Sequence, residues 1–277
     1  MGQPETRVRA DITSVTESPV LPNVLAGFPV RNTTLILKDG SPVATVEHLL
    51  STLAAAGIWN ALIEVTGPEI PILDGSSLSI AQLVDQLVDN LAAQTGEQAR
   101  GAVEPMRLDK PILLQDKHAQ IEAVPRTSPG TLFSYTLDFT LQNPQASVLG
   151  HQHAQWVRSG HDDQGGEKAS WEAYLRDVAP ARTFSFEHEA IAAHNMGLFR
   201  KFSPRDLPVI APDGSLIDNA WREPPAFEPA RHKLLDLIGD LALVGGPIQA
   251  DIFAKNSGHA LNRQFCREIL AQVSRGT

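Results

Sequence analysis

The sequence is short of sulfur, of basic charge and of long apolar runs. Cys266 is the one cysteine in 277 residues, which excludes an internal disulfide and fits a reducing compartment. No run approaches the ~18 apolar residues of a membrane span. Around Glu5, Arg7, Arg9 and Asp11 there is no apolar core of a secretory signal. Lys and Arg number 23 against 32 Asp and Glu, a net charge of −9, and no basic stripe offsets the excess. Nucleic acid is thereby excluded as a partner, and any phosphate must be met by a local basic pocket. These absences describe a soluble, cytoplasmic chain, expected to be a monomer. With 42% apolar and 20% charged residues, it is long enough for one large domain or two modest ones.

Of the segments that are there, Arg231-His232-Lys233-Leu234-Leu235-Asp236-Leu237-Ile238-Gly239-Asp240 organises the rest. His232, Asp236 and Asp240 follow one another at i, i+4 intervals and stack on one face of a helix. Leu234, Leu235, Leu237, Ile238 and Leu241 fill its other sides, so the helix is expected to be largely buried. An imidazole and two carboxylates on such a helix need partners, because unpaired buried charge is costly. A divalent cation is one partner, held in the manner of the zinc-protease helix but as His-x-x-x-Asp. The bland alternative is a solvated helix edge, and this segment alone does not decide between the two.

Taken in order, the chain opens with proline-rich material to residue 40, including a strand-like run over 33–37, then an Asp-Gly-Ser-Pro turn. Thr45 reads as the N-cap of a helix carrying Glu47 and His48 and stopped by Gly57. A strand is predicted over 61–65, a tight structural turn at Asp74-Gly75-Ser76, an amphipathic helix over 78–91 and a linker over 92–103. Further strands are predicted over 111–114, 119–124 and 132–140. The polar stretch 151–170, with His151, His153 and His161, reads as a solvated loop, and 171–178 as a short helix. After a helix near 187–196, an irregular segment runs to about 225. A helix over 230–244, a strand over 248–254, a Gly-flanked loop with His259 and a closing helix to Val273 complete the chain. In each half a histidine sits early in an apolar helix, a glycine ends that helix and a strand follows. This echo predicts an α+β fold of two similar halves, each a sheet packed on helices, forming a sandwich with the active site between them. The halves are placed at 1–100 and 104–277.

His48, His232 and Asp236 are two histidines and one carboxylate, a zinc set with its fourth position open for a water brought toward a neutral pKa. Glu47, beside His48, is the candidate base for that water. His259, kept protonated and oriented by Asp240, is the candidate oxyanion partner or acid for the leaving amine. Thr183 offers a hydroxyl to the oxyanion. Spacing alone does not single out this assembly.

The wording of five segments resembles the zinc-dependent UDP-3-O-acyl-N-acetylglucosamine deacetylases of lipid A biosynthesis. They are Thr45-Val46-Glu47-His48-Leu49-Leu50, Gly67-Pro68-Glu69-Ile70-Pro71-Ile72-Leu73-Asp74-Gly75-Ser76, Ala181-Arg182-Thr183-Phe184, Arg231 through Asp240, and Ser257-Gly258-His259-Ala260-Leu261-Asn262. Several long motifs in the family's order are far more specific than any one of them. The resemblance implies zinc at His48, His232 and Asp236, although iron(II) fits the same ligands. It implies Glu47 as base and His259, backed by Asp240, as cationic partner. It also implies Lys233 at the nucleotide phosphates, Thr183 and Phe184 along a UDP-linked, acylated N-acetylglucosamine, and a fold of two α+β halves.

Two departures from the family accompany the match. The family's first pair of strands, with a Gly-rich segment, has no counterpart, so the first sheet is expected to be cut or reduced. Where the family has a Gly-Gly-Ser/Thr-Leu-like run, this chain reads Phe199-Arg200-Lys201-Phe202-Ser203-Pro204-Arg205-Asp206. Phe199 and Phe202 are expected to narrow the acyl passage. That change keeps two other readings beside the deacetylase: a zinc deacetylase of another N-acetyl sugar, and a non-catalytic paralogue.

Overall fold

The structure, a computed structural model, describes residues 31–37, 40–95, 103–142, 149–160, 166–197, 202–204, 207–217 and 227–273. In chain order the elements begin with β1 (Leu35–Ile36), β2 (Pro42–Val43), α1 (Glu47–Ala55) and α2 (Leu78–Thr95). Then come β3 (Met106–Arg107), β4 (Ile112–Asp116), β5 (Ala119–Pro125), β6 (Thr131–Asp138), α3 (Phe139–Gln142) and β7 (His151–Arg158). The last part holds α4 (Gly166–Asp177), β8 (Ser185–Phe186), α5 (Glu187–Asn195), β9 (Val209–Ile210), β10 (Leu216–Ile217), α6 (Glu228–Leu241), β11 (Ile248–Lys255) and α7 (His259–Val273). The architecture is α+β.

The main sheet runs β4-β5-β11-β6-β7, with β3 also pairing β11. β11 lies antiparallel to β5 and parallel to β6. Strand alternation sends Ile121, Ala123, Phe133, Tyr135, Ala154, Trp156, Ala250, Ile252 and Ala254 to the buried side. Against this face lies α6, touching β6 and β7, while α7 lies against β4 and β5. Buried Leu234, Leu235, Leu237, Ile238 and Leu241 surround α6, as its sequence predicts. The helix is therefore central, and its polar residues at 232, 236 and 240 are carried into the interior with it.

On the other side of α6 lies α1. The two helices approach so closely that a Cβ on Gly239 would stand 2.0 Å from the Glu47 carbonyl oxygen. Only glycine allows this contact, which sets the distance between His48 on one helix and His232 on the other.

Several expectations need correction. The N-terminal neighbour of α1 is Val46, with no side-chain cap. Thr45 instead has φ 57°, and its hydroxyl donates to Glu69 (2.7 Å) while accepting from Asn32 (3.0 Å). Tertiary hydrogen bonds have taken the hydroxyl that a cap would use. The 61–65 segment is irregular, with Leu62, Ile63 and Val65 exposed. Among the described residues no strand lies beside it, so its strand-favouring composition has no ladder to join. The helix–glycine–strand echo thus holds for α6, Gly245 and β11 but lacks the strand in the first half.

Residues 151–158 form β7 rather than a loop, paired along its whole length with β6. His151 and His153 face outward by alternation, while Gln152, Ala154 and Trp156 are buried. Helix α4 begins at Gly166, earlier than 171, and His259 opens α7 rather than sitting in a loop. Asp74-Gly75-Ser76 is the tight turn expected, with Asp74 Oδ1 accepting from the Ser76 N–H and hydroxyl. His161, Phe199 and the first thirty positions lie outside the described residues.

An alanine ordinarily stabilises a mid-helix glycine position by about 1 kcal/mol. Gly239→Ala is expected to do the opposite and destabilise the fold by about 3 kcal/mol, since α1 must be pushed off α6. Urea unfolding measures this, and an unchanged or raised midpoint would refute the close-approach argument.

Candidate active site

α6 brings His232, Asp236 and Asp240 to one buried stripe, with relative exposures of 2%, 3% and 0%. α1 supplies buried Glu47 and His48 from the opposite side, and the first residue of α7 supplies buried His259. Residues from three helices thus meet at one point.

Asp236 Oδ1 is the pivot. It is buried and has no hydrogen-bond donor, yet it lies 3.4 Å from His232 Nε2 and 3.8 Å from His48 Nε2. Ligand atoms bound tetrahedrally to one zinc at about 2.1 Å stand roughly 3.4 Å apart, so these three atoms fit a shared cation. The protonation states agree with that use. Burial pushes His232 down to about 3 and outweighs the attraction of Asp236. Burial likewise lowers His48, against the pull of Asp236. Both rings are therefore neutral near pH 7. His232 Nδ1 lies 3.1 Å from the Ala181 carbonyl, which can only accept, so Nδ1 carries the proton and Nε2 keeps its lone pair. Burial acts to raise the Asp236 carboxyl, but His232, Lys233, His259 and His48 outweigh it and hold the group well below the ordinary carboxylate range.

The Ala181 carbonyl is itself fixed by a buried ion pair. Glu228, the first residue of α6, accepts from the Arg182 backbone N–H (3.0 Å), Nε (2.9 Å) and Nη2 (3.1 Å). Next to it, the Thr183 N–H donates to the Gly75 carbonyl at 2.7 Å. This locks the 181–184 segment to the 74–76 turn, where a Cβ on Gly75 would meet Leu207 at 2.6 Å and Thr183 at 3.1 Å. Phe184 is half-buried and turns its ring edge-to-face with His232, centroids 6.5 Å apart.

A second cluster adjoins the first. Oxygens of Glu47 and Asp236 and a ring nitrogen of His259 lie within 4.8 Å of one another. Burial raises the Glu47 carboxyl to about 7, although His259 pulls the other way. Burial acts to lower His259, but Asp240 outweighs it as charge and acceptor and brings the ring to about 9. His259 Nδ1 donates to Asp240 Oδ2 at 2.8 Å, and Asn262 Nδ2 donates to the same oxygen at 2.9 Å. An imidazolium repels a cation, so this second cluster suits proton transfer and not a second metal. Two buried groups of opposite tendency, a carboxyl near neutrality and a histidine held cationic, are a candidate acid–base pair.

Lys233 Nζ donates to Asp236 Oδ2 at 2.7 Å and is 26% exposed at its side chain. It reaches the rim and loads the oxygen that the cation site leaves over. Cys266 is buried, its thiol donating to the Asp240 carbonyl at 3.2 Å, and burial pushes it well above the usual thiol range. It is a core residue, as the sequence suggests.

Among the residues absent from the sequence reading are Thr33 and Glu228. Thr33 donates its N–H to Glu47 and its hydroxyl to Asp240. No periodicity marks it, because both partners are distant in sequence. Glu228, four residues before His232 on α6, extends the i, i+4 series and was readable on that ground.

The family model described as "LpxC: UDP-3-O-acyl N-acetylglycosamine deacetylase" matches residues 7–271. A UDP-3-O-acyl-N-acetylglucosamine deacetylase of Nostoc sp. is 35% identical over 276 residues, covering 95% of this chain and 85% of the relative. The protein of the same name from Chlamydia pneumoniae is 36% identical over 240 residues, covering 87% of this chain and 76% of its own length. With one match running nearly the full chain and the others covering most of both partners, the chain belongs to the UDP-3-O-acyl N-acetylglycosamine deacetylase family.

Proposed function

We propose that this chain hydrolyses the N-acetyl amide of UDP-3-O-acyl-N-acetylglucosamine and releases acetate, an early committed step of lipid A biosynthesis. The observation that carries the reading is the orphaned Asp236 Oδ1 facing two neutral histidines, with an acid–base pair alongside. His48, His232 and Asp236 would hold zinc. Such a cation, when bound, acidifies water and polarises the amide carbonyl.

The chain's own groups do the proton work. Glu47 accepts a proton from the water attacking the acetyl carbon. His259, cationic through Asp240, faces the negative charge growing on the carbonyl oxygen, where the Thr183 hydroxyl adds a donor. As the C–N bond breaks, His259 hands its proton to the leaving amine, and the proton on Glu47 returns to the site by way of solvent. Atoms and charge balance as amide plus water giving acetate plus the protonated amine.

Lys233, at the rim, is suited to the nucleotide phosphates, since an ammonium has donors to spare beyond Asp236. Phe184, against His232, lines the substrate. The reading of two α+β halves, 1–100 and 104–277, with the site between them is supported by the origin of the residues: Glu47 and His48 from the first, the remainder from the second. No helix among the described residues is long and apolar enough to cross a membrane.

The test is deacetylation of UDP-3-O-acyl-N-acetylglucosamine by the purified chain, with bound metal quantified. Glu47→Gln is expected to lower kcat by about 10²- to 10⁴-fold while zinc stays bound. Bound zinc without turnover in the unaltered chain would defeat the substrate assignment.

The active form needs Glu47 ionised and His259 protonated. A raised Glu47 gives an acid limb at or below about 7, because a bound cation favours its carboxylate. A raised His259 gives an alkaline limb at or below about 9, because the same cation disfavours its imidazolium. Asp240→Asn removes the charge that holds His259 up, so the alkaline limb of kcat/KM is expected to move to lower pH. A limb that stays in place in that variant would sever Asp240 from His259.

A further inference from the structure

The two halves of the acid–base pair are tied together by a residue that belongs to neither. Thr33 is completely buried in the segment before β1, and three of its groups are committed. Its carbonyl accepts from the Val46 N–H at 3.2 Å, at the entry to α1. Its own N–H donates to Glu47 Oε2 at 2.9 Å. Its hydroxyl donates to Asp240 Oδ1 at 2.6 Å, on α6 and 207 positions away. Oδ2 of that same carboxylate receives the His259 ring and the Asn262 amide.

The consequence is geometric. A carboxylate turns about its last bond, and one oxygen held in place fixes where the other points. Thr33 holds one oxygen of Glu47 and so orients the one left for water. It also holds Oδ1 of Asp240 and so presents Oδ2 to His259. The segment that carries Thr33 is itself pinned, with Asn32 donating to Thr45 at 3.0 Å just before α1. Both members of the pair are thus referred to one backbone position.

We propose that Thr33 is a positioning residue that sets Glu47 and His259 in register with each other, acting through its N–H on the first and through Asp240 on the second. This rests on the reading of Glu47 and His259 as the acid–base pair. The Thr33 hydroxyl also lies 3.5 Å from His259 Nδ1, longer than its bond to Asp240, and none of its hydrogen bonds reaches His48, His232 or Asp236, so metal affinity is not its route.

The test compares Thr33→Val, which keeps the shape and loses the hydroxyl, with Thr33→Ser, which keeps the hydroxyl. For valine, kcat is expected to fall about 10- to 100-fold, the cost usual for a lost outer-shell partner, with KM and zinc content unchanged. Serine is expected to restore kcat. Adding Thr33→Val to Asp240→Asn is expected to cost nothing further, since both act through the Asp240–His259 hydrogen bond. Wild-type kcat in the valine variant would overturn the proposal. So would a serine variant as slow as valine, which marks a packing role, or losses that multiply in the double variant. Should the valine variant melt below the assay temperature, Thr33→Cys, with its weak S–H donor, is read in its place. Its kcat is expected between those of serine and Asp240→Asn, and wild-type kcat there overturns the proposal equally.

A readout free of substrate separates this idea from the functional reading. The His259 Nδ1 proton, bonded to Asp240, is expected as a low-field NMR signal in the unaltered and serine chains and as a lost, exchanging one in the valine chain. If the unaltered chain shows no deacetylation, the functional reading fails, and this comparison alone decides the role of Thr33. An identical signal in the valine chain would refute it.

Discussion

The close approach of α1 to α6 at Gly239 is the constraint on which the site depends. Metal sites tolerate little error: ligand atoms must converge to within a few tenths of an ångström of bonding distance. For the candidate ligands that convergence is set by backbone contact, the Glu47 carbonyl lying where a side chain on residue 239 would have to be. A rigid contact between two helices is a better ruler than flexible side chains. It also explains why Glu47 and His48, neighbours in sequence, serve different clusters: the helix is held close enough for both faces of its first turn to reach α6 and α7.

Around that contact the chain layers supports outward. His232 is oriented by the Ala181 carbonyl, which the Arg182–Glu228 pair holds in place. His259 is oriented by Asp240, and Asp240 by Thr33 and Asn262. Each supporting group is buried. Such networks are costly if one member is missing and rigid when complete. The low-dielectric setting also does the electrostatic sorting: the same burial leaves His48 and His232 neutral, while an adjacent carboxylate keeps His259 charged.

Much of this was legible in the sequence where local pattern and final role coincide. α6 announced itself by leucines on every side of an i, i+4 polar stripe, and that stripe is what the fold buries. β6 and β11 were readable from alternation and length. β7 was not, because its buried residues include Gln152 and Ala154 and its outward ones include Val157, so the apolar alternation is faint. The 61–65 run failed in the opposite way: its composition favours a strand, but strands exist only in pairs. Thr45 looked like a cap because serine and threonine usually serve their own helix, whereas here tertiary partners outbid the local one. Thr33 carried no signal at all, since its role is defined by contacts that only the folded chain creates.

The split origin of the candidate ligands makes the centre a proofreader of the fold. His48 arrives on α1 from early in the chain, His232 and Asp236 on α6 from late in it. An unfolded or half-docked chain does not bring His48 to His232 and Asp236, so the full three-ligand set belongs to the assembled state. By mass action, a cation that binds only the assembled state draws the equilibrium toward it. Occupancy of the candidate set would then serve as a quality label, reporting that α1 and α6 are joined across Gly239.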